Sequence, residues 1–190
     1  MRGTCALFFF AALSASPLAS QPAPAAVQNG ANDRIVPAQR IGPLILGMSD
    51  DELVKLLGEG TGDTSSGRMW RYWPSDKHGP WWRHFTTYAV RDDNYRVGLI
   101  RVTGGQYATA AGISTHSSIA QIWKAYPHLQ WAMECTSDDG KPLDIYDDNQ
   151  TGIAFQLWRD PKGHAWQCYG ILVHKPGCAV RALSPVTPAE

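Results

Sequence analysis

No sign of charge dominates this 190-residue chain: 17 Lys and Arg stand against 17 Asp and Glu. A balanced surface lacks the basic stripe that holds a polyanion, so neither a nucleic acid nor an anionic membrane surface is expected as a partner. Cysteine is scarce, with four residues and no C-x-x-C, and the six histidines form no H-x-x-x-H. Neither a metal nor a cofactor is therefore expected. Long apolar runs are missing too, since the stretch from Ala6 to Ala15 is only about half of what a bilayer-spanning helix needs. There is no G-x-S-x-G, no Cys-His motif, no phosphate-cradling glycine loop and no paired carboxylates in a defined context. Gly104-Gly105 reads as a turn.

What is present begins with a leader. Arg2, the apolar run and the small residues around Ser16 to Ser20 are the three parts of a secretory signal peptide, expected over residues 1–20. Its removal would place the protein in the periplasm or outside the cell, with no transmembrane segment in the mature chain. One Arg and Cys5 would leave with it, giving 16 basic against 17 acidic residues and three cysteines, Cys135, Cys168 and Cys178. In an oxidising compartment two of the three are expected to pair, and the sequence leaves all three pairings open.

Residues 21–34 are Pro/Ala-rich and read as a flexible linker, and 181–190 as a flexible tail. Between them two units are expected, 35–107 and 108–180. The first opens with Ser49 as N-cap, Glu52 closing a capping box, an apolar set Leu53, Val54, Leu56 and Leu57, and Gly58 as a stop. A shift of 69 places Ser118 on Ser49, Ile122 on Leu53, Trp123 on Val54 and Pro127 on Gly58. Strand-like segments follow each helix: Arg68 to Trp73, Trp81 to Val90 and Tyr95 to Val102, then Gln130 to Cys135, Leu143 to Tyr146, Gly152 to Trp158 and Trp166 to Val173. Gly98 to Val102 aligns with Gly170 to His174 at a shift of 72. The expectation is an α+β protein of two tandem units, each a short helix followed by an antiparallel meander with one sheet face available.

The patterns Leu46-Gly-Met-Ser-x-x-Glu-Leu-x-x-Leu-Leu-Gly58, Gly112-Ile-Ser-Thr-x-Ser-Ser-x-x-x-Ile-x-x-x-Tyr126 and Gly152-Ile-Ala-Phe155 resemble the tandem helix-plus-sheet proteins of the bacterial envelope. Those are the β-lactamase inhibitory protein group, with small outer-membrane assembly lipoproteins of the SmpA/OmlA type as single-unit relatives. The resemblance implies a secreted binding module that docks through an aromatic sheet surface. It carries over no contact residue, because the matching motifs belong to the scaffold, and the lipoprotein cysteine is missing.

Four of the eight Trp fall within 13 positions, in Met69-Trp-Arg-Tyr-Trp73 and Trp81-Trp-Arg-His-Phe85. Trp, Tyr and Arg dominate interface energetics, because each buries much area and keeps a polar handle. Trp70, Tyr72, Trp73, Trp81 and Trp82 are thus the candidate partner-binding residues; filling a small core, or stacking a sugar, would use the same rings. Five Asp within 11 positions, Asp138 to Asp148, read first as turns, with an acidic patch or a calcium loop as alternatives. The function expected is a non-catalytic binding protein, an inhibitor or immunity protein docking on a partner enzyme. An envelope-assembly scaffold and an envelope hydrolase are the alternatives.

Overall fold

The computed structural model describes residues 34–58, 61–65, 68–73, 85–90, 96–137, 140–160, 162, 165–178 and 180. The expected leader (1–20), all of the expected linker except Arg34, and the tail (181–190) lie outside the described residues.

Two short helices are present. Helix α1 (Asp50–Leu57) starts at Ser49, whose side chain accepts from the Glu52 backbone N–H while the Glu52 carboxylate accepts from the Ser49 N–H at 2.8 Å. It stops at Gly58, whose φ of 78° suits a residue without Cβ. Helix α2 (Ile119–Ala125) repeats the device with Ser118 and Gln121 and ends at Tyr126, just before Pro127. Leu53 and Ile122 are the fully buried side chains of the two helices.

Strands make up the rest of the regular structure: β1 (Arg34–Val36), β2 (Arg40–Ile41), β3 (Leu44–Ile45), β4 (Thr61–Ser65), β5 (Arg68–Trp73), β6 (Phe85–Val90), β7 (Val97–Val102), β8 (Ala108–Thr109), β9 (Gln130–Thr136), β10 (Pro142–Asp148), β11 (Ile153–Arg159) and β12 (Ala165–His174). They form a four-stranded sheet, β3-β2-β1-β8, and an eight-stranded antiparallel sheet, β4-β5-β6-β7-β12-β11-β10-β9.

This corrects the α+β expectation. The protein is mostly β, with helices of eight and seven residues, and the two meanders do not own separate sheets. They merge because β7 and β12 pair over four positions, from Ile171 opposite Val102 to His174 opposite Leu99. Every residue of β7 is buried, so this strand is a centre rather than an edge. The second departure is at the start, where Arg34 to Ile45, too short in each piece to show a period, fold into three strands, and β1 pairs in parallel with β8.

The large sheet packs on both faces. On the helix face, Ile100, Val102, Phe155, Leu157, Ile171 and Val173 form one core with Leu53, Ile122, Tyr126 and the small-sheet residues Ile35, Ile41 and Leu44. The far face carries a second cluster of Leu99, Met133, Cys135, Leu143, Ile145, Ala154 and Leu172, joined by Val180. The β10–β11 hairpin turns at Asn149 to Gly152, as the acidic segment predicts. Asp148 Oδ1 accepts from the Thr151 N–H at 3.2 Å, and Gly152 has φ 72° in a place where a Cβ would strike the His174 carbonyl.

Candidate functional site

Of the five aromatic residues singled out in the sequence, Trp70, Tyr72 and Trp73 lie on β5, an interior strand between β4 and β6, where Trp70 stands opposite Asp63 and Tyr88. Trp81 and Trp82 lie outside the described residues. The site that the described side chains build is elsewhere, on β9, the last strand of the sheet.

Strict alternation from Met133 and Cys135, both on the far face, would put Trp131 beside them. A one-residue register shift intervenes: Met133 pairs with Ile145, but Trp131 pairs with Tyr146. The extra residue returns Trp131 to the face of Tyr146, which packs into the helix-face core and meets Trp123 of α2 edge-on at 5.0 Å. Trp131 is 53% exposed, yet its Nε1–H donates to Asp144 Oδ1 at 3.2 Å. Asp144 also accepts from Arg159 through Nη2 at 2.8 Å and Nε at 3.1 Å. The same Nη2 reaches Glu134 Oε1 at 2.8 Å. Burial works against the Arg159 charge, but the bonds and field of Asp144 and Glu134 outweigh it and raise its pKa. The Tyr146 hydroxyl is raised as well, by burial first and by Asp144 second. The product is an indole in solvent whose polar edge is fixed by an internally neutralised acid, with one further carboxylate beside it.

Of the remaining acids of that stretch, Asp138 and Asp139 lie outside the described residues, and Asp147 and Asp148 serve the fold. Asp147 Oδ1 lies 2.9 Å from His174 Nε2, whose other ring nitrogen faces the Lys175 carbonyl at 2.9 Å, and Asp147 Oδ2 accepts from the Val180 N–H at 3.4 Å. With both ring nitrogens engaged, the fully buried His174 has none left to act as a base. The cysteines are likewise committed. Cys135, Cys168 and Cys178 are free in this structure, with no two at disulfide distance. Tyr169 is an extra residue where β12 pairs with β11, so Cys168 falls on the helix face opposite Leu157, while Cys135 stays on the far face. A sheet thus separates the two buried thiols. Burial pushes Cys135 up to about 11 and Cys168 up to about 12, so neither is a nucleophile at neutral pH. Among the described residues no group of His, Cys, Asp and Glu is placed to hold a metal ion, and no helix is long and apolar enough to cross a membrane.

Nothing in the sequence marked Trp131 as the exposed indole, because the register shift that turns it is not a periodic signal. Its partners Asp144 and Arg159 are 15 positions apart and meet only across the β10–β11 ladder.

No family model and no curated protein matches the sequence. Solved structures similar in shape include two of different origin. One is the uncharacterised protein YfeY from Escherichia coli, at 15% identity and a TM-score of 0.48, covering 74% of this chain and 99% of that one. The other is a cysteine-rich secretory protein from Staphylococcus aureus, at 13% identity and a TM-score of 0.40, covering 81% of this chain and 53% of that one. Neither is a β-lactamase inhibitory protein or an assembly lipoprotein, and likenesses of this size carry no function across.

Proposed function

We propose that the protein is an exported binding protein that docks on a protein partner through the β9 end of its sheet, with Trp131 as the anchor. The observation that carries this reading is the combination of exposure and fixation: an indole half in solvent, held by Asp144 in a network with Arg159 and Glu134. A ring already ordered loses little rotamer freedom on binding, which is what distinguishes an interface anchor from a stray surface hydrophobe. Among the described residues the other exposed large hydrophobics, Ile45 and Leu56, have no such polar tether. With Asp144 neutralised by Arg159, Glu134 leaves the patch one negative charge, so the complementary partner offers an apolar pocket rimmed by a basic side chain. An inhibitor or immunity role for such a module rests on the sequence resemblance.

The test is affinity capture from envelope extract with the wild type and with Trp131→Ala, Glu134→Lys and single Ala variants of Trp70, Trp73, Trp81 and Trp82. A partner identified by mass spectrometry should be lost with Trp131→Ala and weakened with Glu134→Lys, while far-UV circular dichroism stays unchanged. Capture that persists through Trp131→Ala and fails with the Trp70 to Trp82 set would move the docking surface to the first half of the sheet and overturn this assignment.

A further inference from the structure

The far face of the sheet holds a charge without a counter-ion. Arg101, on β7, is only 8% exposed. Its Nε–H donates to Gln156 Oε1 at 2.7 Å, and its guanidinium carbon lies 5.2 Å from the centroid of the Tyr169 ring. Both partners are neutral. Among the described residues no carboxylate lies within ion-pair distance of Arg101, and no acceptor meets its two Nη groups, which keep a narrow edge open to solvent. A guanidinium held mostly within the protein, with its Nη fork left to solvent, offers an anion a partly desolvated, positioned partner.

The surroundings hold that arginine in place. Gln156 turns its carbonyl oxygen to Arg101 while its Nε2 points at Cys135 Sγ, 3.8 Å away. Gln156 stands opposite Gly170, where a Cβ would come within 2.7 Å of Oε1; glycine leaves room for the amide to reach the arginine. Beyond Tyr169, Trp158 meets that ring edge-on at 4.9 Å, and Lys141 Nζ lies 5.2 Å from the Trp158 ring centroid. The order across the face is therefore a buried guanidinium, two partly buried rings and an exposed amine.

We infer that this is a binding site for a small organic carboxylate carrying an aromatic ring: the carboxylate takes the Nη fork of Arg101 and the ring lies along Tyr169 and Trp158. A planar fork with free donors matches a carboxylate in bidentate geometry, and the adjoining rings offer stacking to a planar group rather than hydrogen bonds. Gln156 and Gly170 are positioning residues. The site is on the opposite face from Trp131 and does not depend on the docking assignment.

The test uses purified protein with benzoate, acetate and inorganic phosphate as probes, read by Trp fluorescence and by the thermal midpoint. Benzoate should give a saturable signal and raise the wild-type midpoint, with acetate weaker for want of a ring. Arg101→Met should abolish the benzoate response and, without ligand, melt no lower than the wild type, because an uncompensated charge has gone. Arg101→Lys, which keeps the charge and loses the fork, should bind about tenfold more weakly. Trp158→Leu should erase the preference of benzoate over acetate. The proposal is overturned if no carboxylate raises the wild-type midpoint, if phosphate does so better than benzoate, or if benzoate acts equally on Arg101→Lys and the wild type. Should Arg101→Met fail to fold, the wild type and Arg101→Lys still decide.

Discussion

At the scale of single residues, the chemistry of this protein is set by which face of the sheet each side chain reaches. Cys135 and Cys168 illustrate it, because one extra residue at Tyr169 sends them to opposite sides and buries both. Burial raises both thiols, to about 11 and about 12, whereas Cys178 is exposed. Iodoacetamide at pH 8 followed by peptide mapping should therefore modify Cys178 in the native protein, and Cys135 and Cys168 only in denaturant. Recovery of any disulfide-linked pair among the three from native protein would contradict this arrangement.

At the scale of elements, the two capping boxes are alike in geometry and different in chemistry. Replacing an N-cap serine by alanine costs about 1 kcal/mol, and this is the expected loss for Ser49→Ala and Ser118→Ala at neutral pH. The bond from the Ser49 backbone first, and from its hydroxyl second, holds the Glu52 carboxyl below its usual value. A depressed carboxyl stabilises the fold above its unfolded pKa and loses that contribution as pH falls through the lower, folded value. The penalty of Ser49→Ala should thus shrink on acidification, while that of Ser118→Ala, whose box uses Gln121, should hold; urea denaturation of both variants at neutral and acidic pH measures it. Equal pH dependence for the two would show that Glu52 does not titrate in the box. These helices were legible because caps and stops are local signals, as were most of the longer strands and the Asn149 turn. The second cap, Ser118, was readable from the shift of 69, whereas its box partner Gln121 emerged with the structure. Illegible were β1 to β3 and β8, two or three residues each, whose pairing partners are remote, and the register shifts that aim Trp131 and Cys168. The unmatched charge of Arg101 was hidden for a related reason: an isolated arginine in Gly-Leu-Ile-Arg-Val102 reads as a solvated strand residue until β12 is placed beside it.

At the scale of the whole molecule, the seam between β7 and β12 unites the two meanders, and Ile100 and Val173 face each other across it with no exposure. Ile100→Ala should cost about 2–5 kcal/mol, and urea unfolding followed by fluorescence and by circular dichroism should still show one coincident transition. Two separate transitions would mean that the halves fold without each other. The parallel pairing of β1 with β8 has a consequence of another kind. Arg34 meets Ala108, 74 positions further on by subtraction, and closing a loop of that length costs on the order of 4 kcal/mol beyond a constant. During synthesis β1 emerges well before β8 exists, so the small sheet cannot be completed until Ala108 and Thr109 have been made, and Ile35, Ile41 and Leu44 lack the core partners of the later strands for that interval. Under the export proposed above, such a delay would keep the chain extended and available to holding chaperones.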